Sequence, residues 1–330
     1  MTTPDHLDAD RLSAPGGEPV LVVDAARWTR PKAPIQAVVI GVDREDALPD
    51  IAVDDFDLLL TLAKDPPRPW VSMDVRDIDG QVARLADAAR TNPLAATIAA
   101  QVMRTTESLS LTDALTVESF AYSTLLGGGE FARWRAQPET GDAVPTPPDP
   151  VQVQRDDDRF VLTLNHPDNF NAMTAAMRDA LYEALANALD DPSAPDVLLR
   201  GAGRCFSTGG DLPEFGTARD LAEAHAVRTL HSCARALDAL GSRATVRLHG
   251  ACVGSGIEVA AGAYHRIAAP DAWFQLPEVA MGLIPGAGGT ATVARAIGRH
   301  RTLWMLLSGK RIGAAQALDW GLVHRIEGGS

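Results

Sequence analysis

Three glycine-marked segments and two glutamates carry the chemistry that this sequence could perform. The first segment, GRCFSTGGDL at 203–212, sets small residues between a strand-like run and a helix-like one. Gly209 and Gly210 can take positive φ and let a ligand approach uncovered backbone N–H groups. The second, GACVGSGIEVA at 250–260, brackets Ser255 with Gly254 and Gly256 just ahead of a helix. Unpaired N–H groups at such a helix start face outward. Two turns of this kind could together form an oxyanion hole for a polarised carbonyl. The third, LPEVAMGLIPGAGGT at 276–290, places Glu278 on a turn after Pro277, then makes another glycine-rich turn into a helix. Glu258 sits among Ile257, Val259 and Ala260, a small and apolar setting. Burial there would raise its pKa and suit it to proton transfer. Spacing alone equally allows each glutamate to be solvated or a plain structural partner.

Alternating strands and helices must position these segments. FVLTL at 160–164 reads as a strand, and Met173, Met177, Leu181 and Leu185 recur at helical spacing behind Asn171 or Thr174 as a cap. Further strands are expected at 197–200, 245–248 and 265–268, with a long helix over 221–240 and a short one over 256–263. Ahead of them, 37–42, 56–62 and 70–75 look strand-like. Helical spacing then begins, with Val82, Leu85, Ala86 and Ala89 on one face and Leu94, Ile98, Val102 and Leu109 continuing it past Pro93. A further helical stretch covers 111–135 and ends near an exposed-looking Trp134; no paired chemical groups stand out in this half. Five prolines within 137–150 cannot hold a helix or a sheet interior, so this stretch reads as a linker. The expected organisation is a disordered tail at 1–20, an N-terminal domain at 21–136, the linker, and an α/β catalytic core at 151–330.

The composition excludes other classes of function. The 330 residues carry a formal charge of −13, which argues against a nucleic-acid or anionic-membrane surface. Cys205, Cys233 and Cys252 have no framework spacing and offer no zinc motif, as expected in a reducing compartment. No signal-peptide pattern opens the chain and no run of about 18 apolar residues occurs, so a cytoplasmic location is the expectation.

Taken together, the three segments resemble the crotonase superfamily, the enoyl-CoA hydratases and isomerases, over about 160–326. HPDNFNAMTAAMRDAL at 166–181 is similar to the family's first strand–turn–helix, and RCFSTGGDL to its first oxyanion loop. HGACVGSGIEVA at 249–260 is similar to the second oxyanion loop, and RIGAAQALDWGLVHRI at 311–326 to a later helix and strand. The resemblance implies a crotonase-like spiral of ββα repeats. It implies an oxyanion hole from the N–H groups of Thr208 and Ser255, where the family usually has alanine and glycine. It implies CoA contacts at Thr208, Gly209, Gly210, Asp211, Phe170 and Ala172, and catalytic roles for Glu258 and Glu278, whose spacing of twenty residues equals the family's. Both glutamates being present favours a hydratase, with Glu258 handling water at Cβ and Glu278 supplying the proton at Cα. No metal or redox cofactor is implied. The partners implied are an acyl-CoA substrate and further copies of the chain, as a trimer or dimer of trimers.

The chain departs from the family pattern in one large respect. Ordinary members carry further helices after the GLV segment, and here the sequence ends at Ser330. The segment 86–136 is similar to that missing helical module. The chain thus reads as a permuted crotonase, or, preferred because strand-like segments precede the helices, as a degenerate crotonase-like unit fused to a truncated one. In either case the N-terminal part is expected to pack on the C-terminal part, in cis or from a neighbouring subunit, and close its site. Competing readings are another reaction of the scaffold (isomerase, hydrolase or cofactor-free dioxygenase) and a non-catalytic acyl-CoA-binding subunit. Plainer expectations cover the rest. His225, His231 and His249 read as surface or satisfied core residues, Cys205 and Cys252 as small buried ones, and Trp273 and Phe274 as core. Asp211 reads as a helix cap, and Arg295, Arg299 and Arg301 as a solvated helix face.

Overall fold

The computed structural model describes residues 9–31, 33–137, 144–156 and 158–328. Residues 1–8 of the expected tail and 138–143 of the expected linker lie outside these. Part of 9–19 is anchored to the fold, contrary to a disordered tail. Ala9 and Leu12 are buried, and the Leu12 carbonyl accepts from the amides of Gln36 and Ala37.

Four parallel strands open the fold: β1 (Val20–Asp24), β2 (Val38–Asp43), β3 (Leu58–Thr61) and β4 (Val71–Ser72), in that spatial order. Every residue of β2 is buried, as expected of a parallel strand covered on both faces. Four helices follow: α1 (Ile78–Thr91), α2 (Pro93–Thr106), α3 (Leu111–Leu126) and α4 (Gly129–Arg135). Val82, Leu85, Ala86 and Ala89 line the buried face of α1 as their spacing predicts. Pro93 takes the first position of α2, where its missing N–H has no intrahelical role. Half of the buried residues of α2 are alanine, and Leu94 is exposed.

The second half holds a six-stranded sheet made from β5 (Val151–Asp156), β6 (Arg159–Leu164), β7 (Asp196–Gly201), β8 (Ala244–Leu248), β10 (His265–Ala268) and β13 (Arg325–Ile326). Only the β5–β6 pair is antiparallel. A three-stranded sheet, β12–β11–β9, joins Ile312–Gly313, Trp273–Gln275 and Ala251–Val253. The helices of this half are α5 (Ala175–Asp190), α6 (Leu221–Leu230), α7 (Cys233–Ala239), α8 (Ser255–Ala260), α9 (Thr292–Ile297), α10 (Arg299–Ser308) and α11 (Ala314–Trp320). The long helix expected over 221–240 is two. Ser232 leaves helical geometry and its Oγ caps α7 by accepting from the Arg235 amide. Thr174, not Asn171, caps α5.

One hydrophobic core runs through both halves, from Ile40, Leu58 and Phe131 to Leu162, Leu303 and Trp304. Arginines fasten the halves together. Arg299 and Arg301, expected on a solvated face, are each only 5% exposed. The Arg299 guanidinium donates to the Phe56 carbonyl at 2.7 Å and meets Asp54 and Glu107. Arg301 donates to the Trp70 and Pro66 carbonyls, and Arg295 to Leu109. Trp134, expected to be exposed, is half-buried and meets the Phe215 ring edge-on. No helix among the described residues is long and apolar enough to cross a membrane.

Candidate active site

A cavity of about 740 Å³ lies where the glycine-rich segments converge under the N-terminal helices. Thr208 to Asp211, Val253 to Ser255, Glu258 and Glu278 line it from the second half; Leu115, Glu118, Ser119, Tyr122 and Leu126 of α3 line it from the first. The expectation that the N-terminal part covers the site is therefore met within one chain.

Gly254 brings the two glutamates together. It adopts φ +48°, and a methyl group there would stand 2.8 Å from Glu278 Oε1 and 3.8 Å from Glu258 Oε1. Such a backbone state strains any L side chain, so glycine is required on conformation and on space alike. Glu258 Oε2 accepts from the amides of Ala287 at 2.7 Å and Gly289 at 3.1 Å. Burial pushes its pKa up to about 7, against these two bonds, which pull it down. Glu278 is raised well above the usual range, by burial first and by Glu258 beside it. Its Oε2 is buried without a hydrogen-bond partner. One carboxyl is thus anchored with its pKa pushed up to about 7, and the other is pushed further toward its neutral form with an oxygen unengaged.

A third carboxyl joins them. Glu118 on α3 is 2% exposed and grips the same turn as Glu258. It accepts from the amides of Gly288 and Thr290, each at 2.7 Å, and from Thr290 Oγ1 at 2.6 Å. Burial and the nearby Glu258 push its pKa up to about 8. The sequence carries a signal for it: Glu118 falls in register with Leu111, Ala114 and Leu115, a charge on the buried stripe of an amphipathic helix.

Ser255 starts α8 at the cavity wall. Its amide makes no hydrogen bond among the described residues, and its Oγ is buried and unpaired. The Thr208 amide, by contrast, donates to the Phe170 carbonyl at 3.1 Å, so it does not fill the expected role of an open donor. The neighbouring amide at Gly210 makes no hydrogen bond among the described residues, and Gly210 lines the cavity. Met173 bonds Gly209 and Asp211 on either side and leaves the Gly210 N–H free. The open pair of donors is therefore Gly210 and Ser255. Phe170 and Ala172 are not in the cavity lining; Phe170 is 45% exposed and Ala172 is buried. Asp211 makes no side-chain cap; its Oδ1 accepts from Asn169 Nδ2.

The family model described as enoyl-CoA hydratase/isomerase matches residues 159–328, just over half of the chain. The chain belongs to the enoyl-CoA hydratase/isomerase family. The enoyl-CoA hydratase of Thermoplasma volcanium is 28% identical, with a TM-score of 0.50 over 54% of this chain and 71% of its own. An enoyl-CoA hydratase/carnithine racemase of Magnetospirillum magneticum is 31% identical, with a TM-score of 0.50 over 54% and 68%. The fatty acid oxidation complex subunit alpha of Shewanella sp. (strain W3-18-1) is 34% identical over 179 residues. This chain spans 25% of the length of that relative, and the match covers 53% of this chain. The family match begins at β6 and leaves out the sheet and helices of the first half, including Glu118 and Tyr122.

The remaining residues singled out in the sequence hold structural places within this family member. Cys205 and Cys252 are buried, and burial pushes both thiols up, away from the reactive thiolate. His225 stacks on Phe120, His249 meets the Gly203 carbonyl, and His231 pairs with Asp179. Phe274 is fully buried, while Trp273 is half-buried with the Arg311 guanidinium 3.8 Å from its ring centre.

Proposed function

We propose that the chain is an enoyl-CoA hydratase, adding water across the α,β double bond of an acyl-CoA thioester. The observation that carries this reading is the juxtaposition at Gly254 of two buried carboxyls, one anchored by backbone amides and one with an unengaged oxygen, lining one cavity with two open amides. The Gly210 and Ser255 amides receive the thioester oxygen and stabilise the enolate that forms. Each such donor is typically worth about 3–4 kcal/mol in the transition state. Glu258 in its ionised form takes a proton from water as the water oxygen bonds Cβ. The π electrons of the double bond move toward the carbonyl. Glu278 then gives its proton to Cα, and the hydroxyl and hydrogen of one water have been added. A proton passed from Glu258 back to Glu278 restores the starting state. The reaction as written draws on no metal or redox group. The same reading includes a homo-oligomeric assembly, which light scattering measures.

A panel of α,β-unsaturated acyl-CoAs, short-chain to aromatic, tests this reading through loss of the conjugated thioester absorbance. The product, formed in D₂O and read by NMR, is expected to carry a hydroxyl at Cβ and one deuterium at Cα. A double bond moved without hydroxylation, or no change in any substrate, would overturn it.

A further inference from the structure

We propose that the acyl end of the cavity binds an anionic group on the acyl chain, with Arg228 as its receptor. The preferred substrate would then be the CoA monothioester of an unsaturated dicarboxylic acid. This rests on the acyl-CoA reading above and names the substrate class for that site.

Arg228 stands on α6, half-buried, and lines the cavity. No carboxylate oxygen lies within ion-pair distance of it among the described residues. Its partners are neutral: Nε donates to Ser119 Oγ at 3.0 Å and Nη2 to Ser123 Oγ at 2.5 Å, both on α3. The guanidinium also lies 4.8 Å from the Tyr122 ring centre. These bonds use two of the five N–H groups and leave the rest for a ligand. Arg178, which lines the same cavity, is paired with Asp179 at 2.8 Å.

Tyr122 fixes which end of the ligand Arg228 would meet. Its ring abuts Gly286, where a methyl group would fall 2.8 Å from the ring carbons. Gly286 leads directly into the turn whose amides hold Glu258. Arg228 is thus tied, through Tyr122, to the turn that holds Glu258. Glu118 acts on Arg228 through space, but its oxygens are engaged with Gly288 and Thr290, so a plain hydrocarbon tail would leave a partly desolvated cation without a paired carboxylate, which is costly. A carboxylate matches the guanidinium fork and removes that cost. Sites built around a polar group discriminate far more sharply than apolar pockets, which typically manage about 10–200-fold.

The test compares but-2-enoyl-CoA with the analogue carrying a terminal carboxylate one carbon further on. In the full chain, kcat/KM is expected to be at least about 10-fold higher for the carboxylated substrate. Arg228→Gln should cut the carboxylated substrate at least about 10-fold more than the plain one, and Arg228→Lys should recover part of the preference. The saturated pair, butanoyl-CoA and its carboxylated analogue, is titrated calorimetrically in parallel. Tighter binding of the carboxylated analogue supports the subsite even without turnover, so failure of the hydratase reading is separable from failure of this one. Equal affinity for the two saturated esters would overturn the subsite. So would equal losses for plain and carboxylated substrates in Arg228→Gln, because Arg228 would then be meeting the CoA phosphates.

Discussion

Glu118 and Glu258 hold one turn between them. Glu258 accepts from the amides of Ala287 and Gly289, and Glu118 from those of Gly288 and Thr290. Four successive N–H groups therefore alternate between a carboxyl of the second half and a carboxyl of the first. The turn that anchors the Glu258 carboxyl is thus also held by a helix that the family match does not reach.

Glu118 is accordingly a positioning residue. Glu118→Ala leaves three buried donors unpaired, at about 1–3 kcal/mol each, so a large fall in melting temperature is expected. Glu118→Gln keeps the shape and part of the bonding. It should lower kcat roughly 10-fold or more with KM nearly unchanged, since misplacing a reacting group slows chemistry more than binding. Steady-state kinetics with circular dichroism on both variants checks this. Unchanged kcat in Glu118→Gln would contradict it.

Three buried carboxyls with raised pKa values also shape stability against pH. Each binds its proton more tightly folded than unfolded, so between about 4.5 and about 8 the unfolded chain binds fewer protons. Stability is then fullest below the unfolded pKa and is lost as pH rises through the folded values. Scanning calorimetry should show the melting temperature falling by roughly 5 °C or more from pH 5 to pH 8. Glu278→Gln should flatten that slope, and a melting temperature that rises over this window would contradict the sign.

Gly254→Ala tests the close approach of the glutamates. The added methyl would meet Glu278 Oε1 at 2.8 Å, in a backbone state at φ +48° that disfavours alanine. We expect kcat to fall roughly 100-fold or more, with the fold retained by circular dichroism. Wild-type activity would show that the carboxyls do not need this spacing.

The second half was legible because its chemistry sits in short local segments. Glu258, Glu278 and Ser255 each lie beside a glycine turn whose geometry follows from a few neighbours. Thr208 and Gly210 were harder to separate, because which amide stays free depends on bonds from Phe170 and Met173, 38 and 37 residues away. Glu118 and Arg228 were missed for a similar reason, since their roles exist only once α3 lies across α6 and the turn at 286–290. The arginines of α10 misled on composition. Arg299 and Arg301 are charged at helical spacing, yet backbone carbonyls of the first half satisfy them in the interior.

That interior seam gives a further prediction. Expressed alone, residues 151–330 would expose the core shared with Phe131 and α2, leave Arg299 and Arg301 unpaired, and lose Glu118. Removing the partner of a buried charge typically costs about 3–5 kcal/mol, so the fragment should be poorly folded and inactive. A well-folded, active fragment would sink the claim that the first half completes the site.

The most direct test of the central claim is the hydration rate of wild type beside Glu258→Gln and Glu278→Gln, on the best substrate found. The account predicts that kcat falls by at least about 10²-fold in each variant, as expected when a proton-transfer group is lost, while binding of a saturated acyl-CoA is kept. Hydration that persists at near wild-type rate in either variant would contradict the two-carboxyl mechanism.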